Sequence, residues 1–289
     1  MGTWTDLASS LSHPSDLLDG FPPPYTELDP QTATQAPQLD TPSYTESTST
    51  SATTKFPPAI NGYFQWKFTT TFHLGPTADE KLFAVSTPAT VFKNKPTILL
   101  YDGPTNKHPV MATAQGDKWG RSRPIAITLL PRPGSQHEDA IVEQVIPGGS
   151  LLHASPSYTF ETSVGPKGTT REKFEWRKSY GNEFKELAGL SYGWKLARLT
   201  GPVNSVGGSK KERDRGYTSD GLEIVALIAH NASWSLTKGF RFIFMGAGLT
   251  GTMGEIWEIV VVTSALQLWV MDVQDTSAAT PTVASAAIS

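Results

Sequence analysis

The chain has 289 residues, 38% of them hydrophobic, a formal net charge of −3 and no cysteine. The absence of cysteine excludes disulfides, thiolate metal sites and thiol catalysis. No basic run interleaves the eight tryptophans, so no nucleic-acid partner is expected. The start, MGTWTD, lacks the basic and apolar regions of a secretory signal, which predicts a cytoplasmic protein that is not secreted.

The first segment, residues 1–58, is predicted to be a disordered acidic tail. Ten of the fourteen positions from Thr41 to Thr54 are Ser or Thr, and such a composition cannot bury enough apolar surface to fold. Residues 1–55 carry seven carboxylates and one cation, Lys55, and therefore a net charge of −6. Since the whole chain has a net charge of −3, the rest of the chain carries +3. This asymmetry is compatible with an anionic membrane surface, although solvated surface charge is the simpler interpretation.

The tail contains a complete PPxY motif, formed by Pro22, Pro23, Pro24 and Tyr25. WW domains bind such peptides because a polyproline II helix is already extended and its rings fit aromatic grooves. A degenerate copy that lacks the first proline follows at Thr41–Tyr44. The alternative is a proline-rich linker that happens to contain a tyrosine. The motif predicts recruitment of a WW-domain protein, with a ubiquitin ligase of the HECT type as a candidate.

The body, residues 59–273, reads as short strands separated by glycine and proline. The candidate strands are Tyr63–His73, Leu82–Ser86, Thr97–Tyr101, Val110–Gln115, Pro124–Leu130, Ile141–Ile146, Tyr158–Ser163, Lys173–Arg177, Gly193–Leu199, Leu222–His230 and Phe240–Met245. Many alternate apolar and polar residues, which gives each strand one buried and one solvated face. Long amphipathic helices are missing between them, which argues against a doubly wound α/β fold.

Gly189–Gly193 matches the nucleophile elbow of serine hydrolases, with Ser191 at its centre. Asp214 or Asp220 followed by His230 completes the hydrolase order of Ser, Asp and His. However, the elbow requires a helix after the serine, and the following residues alternate as a strand. A turn that opens a strand is the favoured interpretation, so no catalytic residue is expected.

One basic cluster interrupts the body, and it consists of Lys210, Lys211, Arg213 and Arg215. Two acidic residues lie within the same segment, so a solvated loop is the default interpretation. The alternative is a lipid-phosphate site at a membrane surface. The six histidines are scattered, and no metal or cofactor site is expected.

Gly246–Gly251 fits the glycine pattern of dinucleotide-binding loops. No strand follows the next segment to complete a nucleotide crevice, because the chain ends in Ser-, Thr- and Ala-rich residues. The pattern favours a glycine loop that turns the chain into the interior of the fold.

The segment Gly254–Val273 is apolar on nearly every side, which predicts a helix over about residues 255–272 that is enclosed by protein. Glu255, Glu258 and Asp272 shorten its uncharged part, so a membrane span fits poorly. Two buried strands hinged at residues 263–265 are the alternative. A strand-rich body that ends in such a helix predicts a closed antiparallel barrel around it. Residues 274–289 are predicted to be a disordered C-terminal tail.

The body resembles the tubby-like superfamily, which includes the plant LURP-one-related proteins and the phospholipid scramblases. The resemblance covers roughly residues 60–273. The segments that carry it are FEWRKSYGNE, YGWKLARL, TSDGLEIVALIAHN and KGFRFIFMGAGLTGTMGEIWE, and they are similar to a fungal branch of the superfamily. The resemblance implies a barrel of about twelve strands around a central helix. Neither the phosphoinositide-binding residues of tubby proteins nor a scramblase calcium motif is matched here, so no site residue is carried over.

These observations favour a non-enzymatic cytosolic adaptor whose tail recruits a WW-domain protein. Three alternatives stay open: peripheral binding of phosphoinositides or other anionic lipids through the basic cluster, scramblase-like lipid handling implied by the resemblance, and hydrolysis at Ser191. The last has the least support in the sequence, because the secondary structure that an elbow requires is absent.

Overall fold

The structure is a computed structural model that describes residues 54–64, 70–88, 95–116, 123–135, 137–148, 156–180, 184, 192–201, 216–230 and 238–278. Within these ranges the chain forms twelve strands, a short 3₁₀ helix (Gly246–Leu249) and one long helix, α1 (Glu255–Ala278). The strands are β1 (Ala59–Phe64), β2 (Thr71–Gly75), β3 (Phe83–Ser86), β4 (Ile98–Tyr101), β5 (Val110–Gln115), β6 (Ile125–Leu129), β7 (Ile141–Gly148), β8 (Ser157–Val164), β9 (Thr170–Ser179), β10 (Gly193–Arg198), β11 (Ile224–His230) and β12 (Lys238–Phe244).

The sheet is a closed antiparallel barrel, as predicted. Each strand pairs with the next along the chain, and β1 pairs with β12 through a register that includes Ala59 and Ile243. Closure leaves no exposed sheet edge. Because neighbouring strands run in opposite directions, even strands finish at the end of the barrel where α1 begins, which we call the entry end. Odd strands finish at the opposite end, where α1 ends, which we call the exit end.

The strands follow the alternation that the sequence predicts. Phe174 and Trp176 on β9 are fully buried, whereas Glu175 and Arg177 between and after them form an ion pair at 2.7 Å. One candidate strand is wrong in extent. The segment predicted as Tyr63–His73 contains parts of two strands, since β1 and β2 pair with each other. Neither glycine nor proline occurs at positions 65–69, so the reversal lacks the usual turn signal.

Helix α1 runs through the interior of the barrel. Every residue from Trp257 to Asp272 is buried. Near its start, the ring of Trp257 lies 5.9 Å from that of Phe174 on β9 and 5.7 Å from that of Phe244 on β12. Near its end, the ring of Trp269 lies 5.6 Å from that of Phe72 on β2. Helix α1 is therefore enclosed by strands from different parts of the sheet.

Polar residues in the middle of α1 bond to the helix and to the barrel wall. Ser264 Oγ accepts a hydrogen bond from Trp176 Nε1 and donates one to the carbonyl of Val261, both at 3.0 Å. Thr97 Oγ1, just before β4, donates to Gln267 Oε1 at 2.5 Å. These bonds satisfy buried polar groups and fix the rotation of the helix. The alternative of two strands hinged at residues 263–265 is wrong.

The predicted domain boundaries are too narrow at both ends. Phe56 belongs to the core, because its ring is buried and lies 4.7 Å from that of Phe83. At the other end, α1 continues to Ala278, so the helix extends into the C-terminal tail predicted from residue 274. Residues 1–53 and 279–289 lie outside the described residues, and the disorder of both tails stays a prediction.

Candidate functional site

Both groups of predicted binding residues lie outside the part of the chain that the structure describes. They are Pro22, Pro23, Pro24 and Tyr25 of the PPxY motif, and Lys210, Lys211, Arg213 and Arg215 of the basic cluster. The flanks of the basic cluster are described. Strand β10 ends and β11 begins at the entry end, and Arg198, the last residue of β10, forms an ion pair with Glu172 at 2.6 Å. Phosphate binding by the cluster stays a prediction.

The residues that gave the hydrolase order have other partners where they are described. Asp220 binds Arg177 Nη1 with both carboxylate oxygens at 2.8 Å. His230 Nε2 lies 3.3 Å from Asp272 Oδ2. Asp220 and His230 therefore do not form the pair that the sequence order suggests. Ser191 and Asp214 lie outside the described residues.

The glycine pattern at Gly246–Gly251 forms the connection from β12 into α1, as predicted. The backbone N–H of Ala247 donates to Glu223 Oε1 at 2.7 Å, so a carboxylate occupies a donor that a nucleotide phosphate would need. A Cβ atom at Gly248 would lie only 2.4 Å from the carbonyl oxygen of Val225. Close packing therefore explains this glycine.

The entry end of α1 carries a partly buried charge network. We call it the entry network, and it consists of Lys55, Asp102, Arg132, Glu255 and Glu258. Arg132 Nε donates to Asp102 Oδ2 at 2.7 Å, and its Nη2 donates to Glu255 Oε1. Lys55 Nζ donates to the other oxygen of Asp102 at 2.5 Å. The arginine fork thus joins a turn after a strand to the first residue of the helix.

The two carboxylates of this network that show a pKa change are shifted in opposite directions. Burial raises the pKa of Glu258, even though its Oε2 accepts backbone N–H bonds from Lys55 at 2.7 Å and Phe56 at 3.2 Å. Burial acts in the same direction on Asp102, but hydrogen bonds and charges from Lys55 and Arg132 outweigh it and lower the pKa of Asp102. The difference follows from the cations, since Glu258 has two amide donors but, within the described ranges, no ion pair of its own.

The exit end holds a second cluster around one carboxylate. We call it the exit cluster, and it consists of Lys178, Tyr192, Trp194, His230 and Asp272. Asp272 accepts hydrogen bonds from Trp194 Nε1 at 2.8 Å and Lys178 Nζ at 3.1 Å. The Tyr192 ring stacks on the imidazole of His230 with centroids 4.8 Å apart. Each member comes from the end of an odd strand, the start of an even strand or the end of α1, so the topology brings them together.

Asp272 accepts the hydrogen bonds at the centre of this cluster. Burial alone would raise its pKa, but hydrogen bonds from His230, Trp194 and Lys178 and the charge of Lys178 hold the pKa far below the usual range. Burial, with the charge of Asp272 adding to it, raises the pKa of Tyr192. Asp272 therefore serves as the anchor of the helix end. Among the described residues, no group of three side chains has the arrangement of a metal site.

A cavity of about 390 Å³ lies at the same end of the barrel as the exit cluster, and we call it the exit cavity. Its lining residues are Phe64, Phe72, Thr87, Pro88, Thr97, Trp269, Val270, Val273 and Gln274. They come from the exit ends of β1 to β4 and from the last turns of α1. The volume falls in the range of small-molecule sites. Deeper in the barrel, a void beside Val262 and Leu266 measures only about 10 Å³, so the exit cavity is a local feature.

The sequence analysis missed the exit cluster and the exit cavity. A signal for the cluster was present: Asp272 lies on an otherwise apolar, enclosed helix, and a buried carboxylate requires a partner. No such signal exists for the cavity, since the residues that line it are apolar and aromatic like the rest of the core. In length and composition, Glu255–Asp275 would suit a membrane span, but 83% of its apolar window is buried inside the barrel.

Comparison of the chain with protein-family models, with curated proteins and with solved structures finds no match in any of the three. The tubby-like resemblance therefore stays a prediction that rests on the segments quoted above. The barrel and its central helix are established by the structure alone.

Proposed function

We propose that the protein is a non-enzymatic cytosolic adaptor in which Pro22, Pro23, Pro24 and Tyr25 recruit a WW-domain protein. The observation that carries this proposal is the complete PPxY motif in a segment whose composition predicts disorder. A motif in an unfolded segment is accessible and can adopt the polyproline II conformation that WW grooves bind.

The start of the barrel supports this arrangement. Lys55 and Phe56 are fixed to the entry end by the hydrogen bonds that Glu258 accepts. Thirty residues separate Tyr25 from Lys55, and an unfolded linker of that length has an average reach of about 30 Å. The barrel would serve as a rigid body from which the motif extends. A HECT-type ubiquitin ligase is the candidate partner.

The test measures binding of the full chain to a panel of purified WW domains by calorimetry. We expect a Kd of about 1 μM, or about −8 kcal/mol, for at least one domain. Tyr25→Ala should remove most of this affinity, because the tyrosine ring fills an aromatic pocket. Phosphorylation of Tyr25 should also weaken binding, since a dianion replaces a neutral hydroxyl.

Tyr44→Ala is the matched control, because Tyr44 lies in the degenerate copy within the same tail. It should leave the affinity for a single WW domain unchanged and lower it only for a tandem partner, through effective concentration. Equal binding by wild type and Tyr25→Ala across the panel would contradict the adaptor proposal.

Three further measurements distinguish the alternatives on the full chain. Flotation with anionic liposomes tests lipid binding through Lys210, Lys211, Arg213 and Arg215. A dithionite lipid-flip assay tests scrambling, and labelling by a fluorophosphonate probe tests a nucleophilic Ser191. Under the adaptor proposal no lipid flipping and no probe labelling should occur, and flotation should not depend on these four basic residues.

A further inference from the structure

We propose that the exit cavity binds one unbranched acyl chain. The chain would come from a free fatty acid or from a membrane lipid, and both sources present the same chemistry to the cavity. This site is independent of the PPxY motif, so it stands or falls separately from the adaptor proposal.

The position of the lining residues indicates an elongated space. They come from four neighbouring strands, with Phe64 on β1, Phe72 on β2, Thr87 after β3 and Thr97 before β4. Three spacings between strands amount to about 14 Å. The last turns of α1 form the opposite wall. A space that is wide along the sheet and bounded by a helix suits a slender chain better than a bulky ring system.

The chemistry of the walls selects an uncharged group. None of the nine lining residues has an ionisable side chain, so a charge inside the cavity would lose its hydration without compensation. Phe64, Phe72 and Trp269 form one aromatic wall, with the ring of Trp269 5.4 Å from that of Phe64. Val273 is 40% exposed at the end of α1, which places the solvent side of the cavity there. A carboxylate or lipid headgroup would remain on that side.

The test titrates the full chain with saturated fatty acids of increasing length and measures affinity by calorimetry. Each added methylene should tighten binding up to about four-fold, until the chain fills the cavity. Beyond that length the affinity should stop rising. Affinity that does not depend on chain length would overturn the proposal.

Val270→Phe places a larger side chain in the cavity and should weaken binding at least ten-fold, with no loss of thermal stability because it fills empty space. Val273→Phe, nearer to solvent, provides a second variant if the first fails to fold. Val142→Phe is the matched control, since Val142 is 55% exposed on β7, outside the barrel. It should bind like wild type. Equal affinity for Val270→Phe, Val273→Phe and wild type would overturn the proposal.

Flotation with phosphatidylcholine vesicles distinguishes the two sources of the chain. If the protein binds free fatty acids but does not float with the vesicles, the bound acyl chain comes from a soluble fatty acid. If the wild type floats and Val270→Phe does not, the chain comes from a membrane lipid. The absence of both would overturn the proposal.

Discussion

The two ends of α1 bury carboxylates in different ways. At the entry end, Glu255 and Glu258 lie near the helix N-terminus, where the helix dipole favours negative charge, and Arg132 joins the first of them to the barrel. At the exit end, Asp272 lies in the last part of the helix, where the dipole opposes a negative charge. It is stabilised instead by Lys178, Trp194 and His230.

The difference shows how each end of the helix is held. The N-terminal approach of the chain packs across the entry end, because Lys55 and Phe56 bond to Glu258 and the Phe56 ring is in the core. At the exit end, hydrogen bonds to Asp272 hold the last part of the helix. Charges therefore hold the first turn of the helix and the incoming chain at the entry end, and the last part of the helix at the exit end. Changing each end separately tests this interpretation.

The largest effect is expected for Arg132→Leu. Its side chain is 2% exposed and is the only cation bound to Glu255 among the described contacts. Its loss therefore leaves the partly buried Glu255 without a cation, and Asp102 with Lys55 alone. The free energy of unfolding, measured by urea denaturation, should fall by about 3 to 5 kcal/mol. The free energy of unfolding of Arg132→Lys should lie between those of the wild type and Arg132→Leu, since lysine keeps the charge but not the fork of the guanidinium.

Lys167→Leu is the control for Arg132→Leu, because it removes one positive charge from an exposed turn. Its effect should stay within about 0.5 kcal/mol. If both variants lose equal stability, the entry network does not hold the helix.

A smaller loss is expected for Asp272→Asn at the exit end. The amide can still accept from Trp194 Nε1, but Lys178 loses the anion that it binds at 3.1 Å. Urea denaturation should show a loss of about 2 to 4 kcal/mol. Asp275→Asn, at an exposed position one turn later on the same helix, should lose much less. An equal loss from both variants would mean that general charge, and not the exit cluster, stabilises the helix end.

The dependence of stability on pH should have opposite signs at the two ends. Burial raises the pKa of Glu258 above its unfolded value of 4.5. Its ionisation therefore opposes folding near pH 7, and this cost disappears as the pH falls through the folded pKa. Asp272 has a folded pKa below its unfolded value of 3.8. Its contribution is present above that value and is lost as the pH falls below it.

Urea denaturation from pH 7 to pH 3 measures both effects. Relative to Glu258→Gln, the wild type should gain stability as the pH falls from 7 towards 4.5. Relative to Asp272→Asn, it should lose stability below about pH 4. If the two stability differences change in the same direction as the pH falls, the contrast between the two helix ends is refuted.

The sequence predicts the barrel and its helix, because alternation along strands and an apolar helix are local patterns. It places Gly246–Gly251 as the turn into the interior for the same reason. It does not predict which charges meet, since Arg132 and Glu255 are 123 positions apart. The exit cavity depends on how Phe64, Phe72 and Trp269 fill the last layer of the core, and composition does not encode that packing.

The smallest effect is expected from deleting residues 1–53. The tail is predicted to make no packed contacts, so the melting temperature should stay within about 1 °C of the wild type. Deleting residues 1–57 is the matched comparison, because it also removes Lys55 and Phe56. It should lower stability clearly, since Glu258 loses both amide donors, Asp102 loses one cation and the core loses a buried ring. A large loss already on deleting residues 1–53 would mean that the tail packs on the barrel, and the PPxY motif would then be less accessible than the adaptor proposal requires.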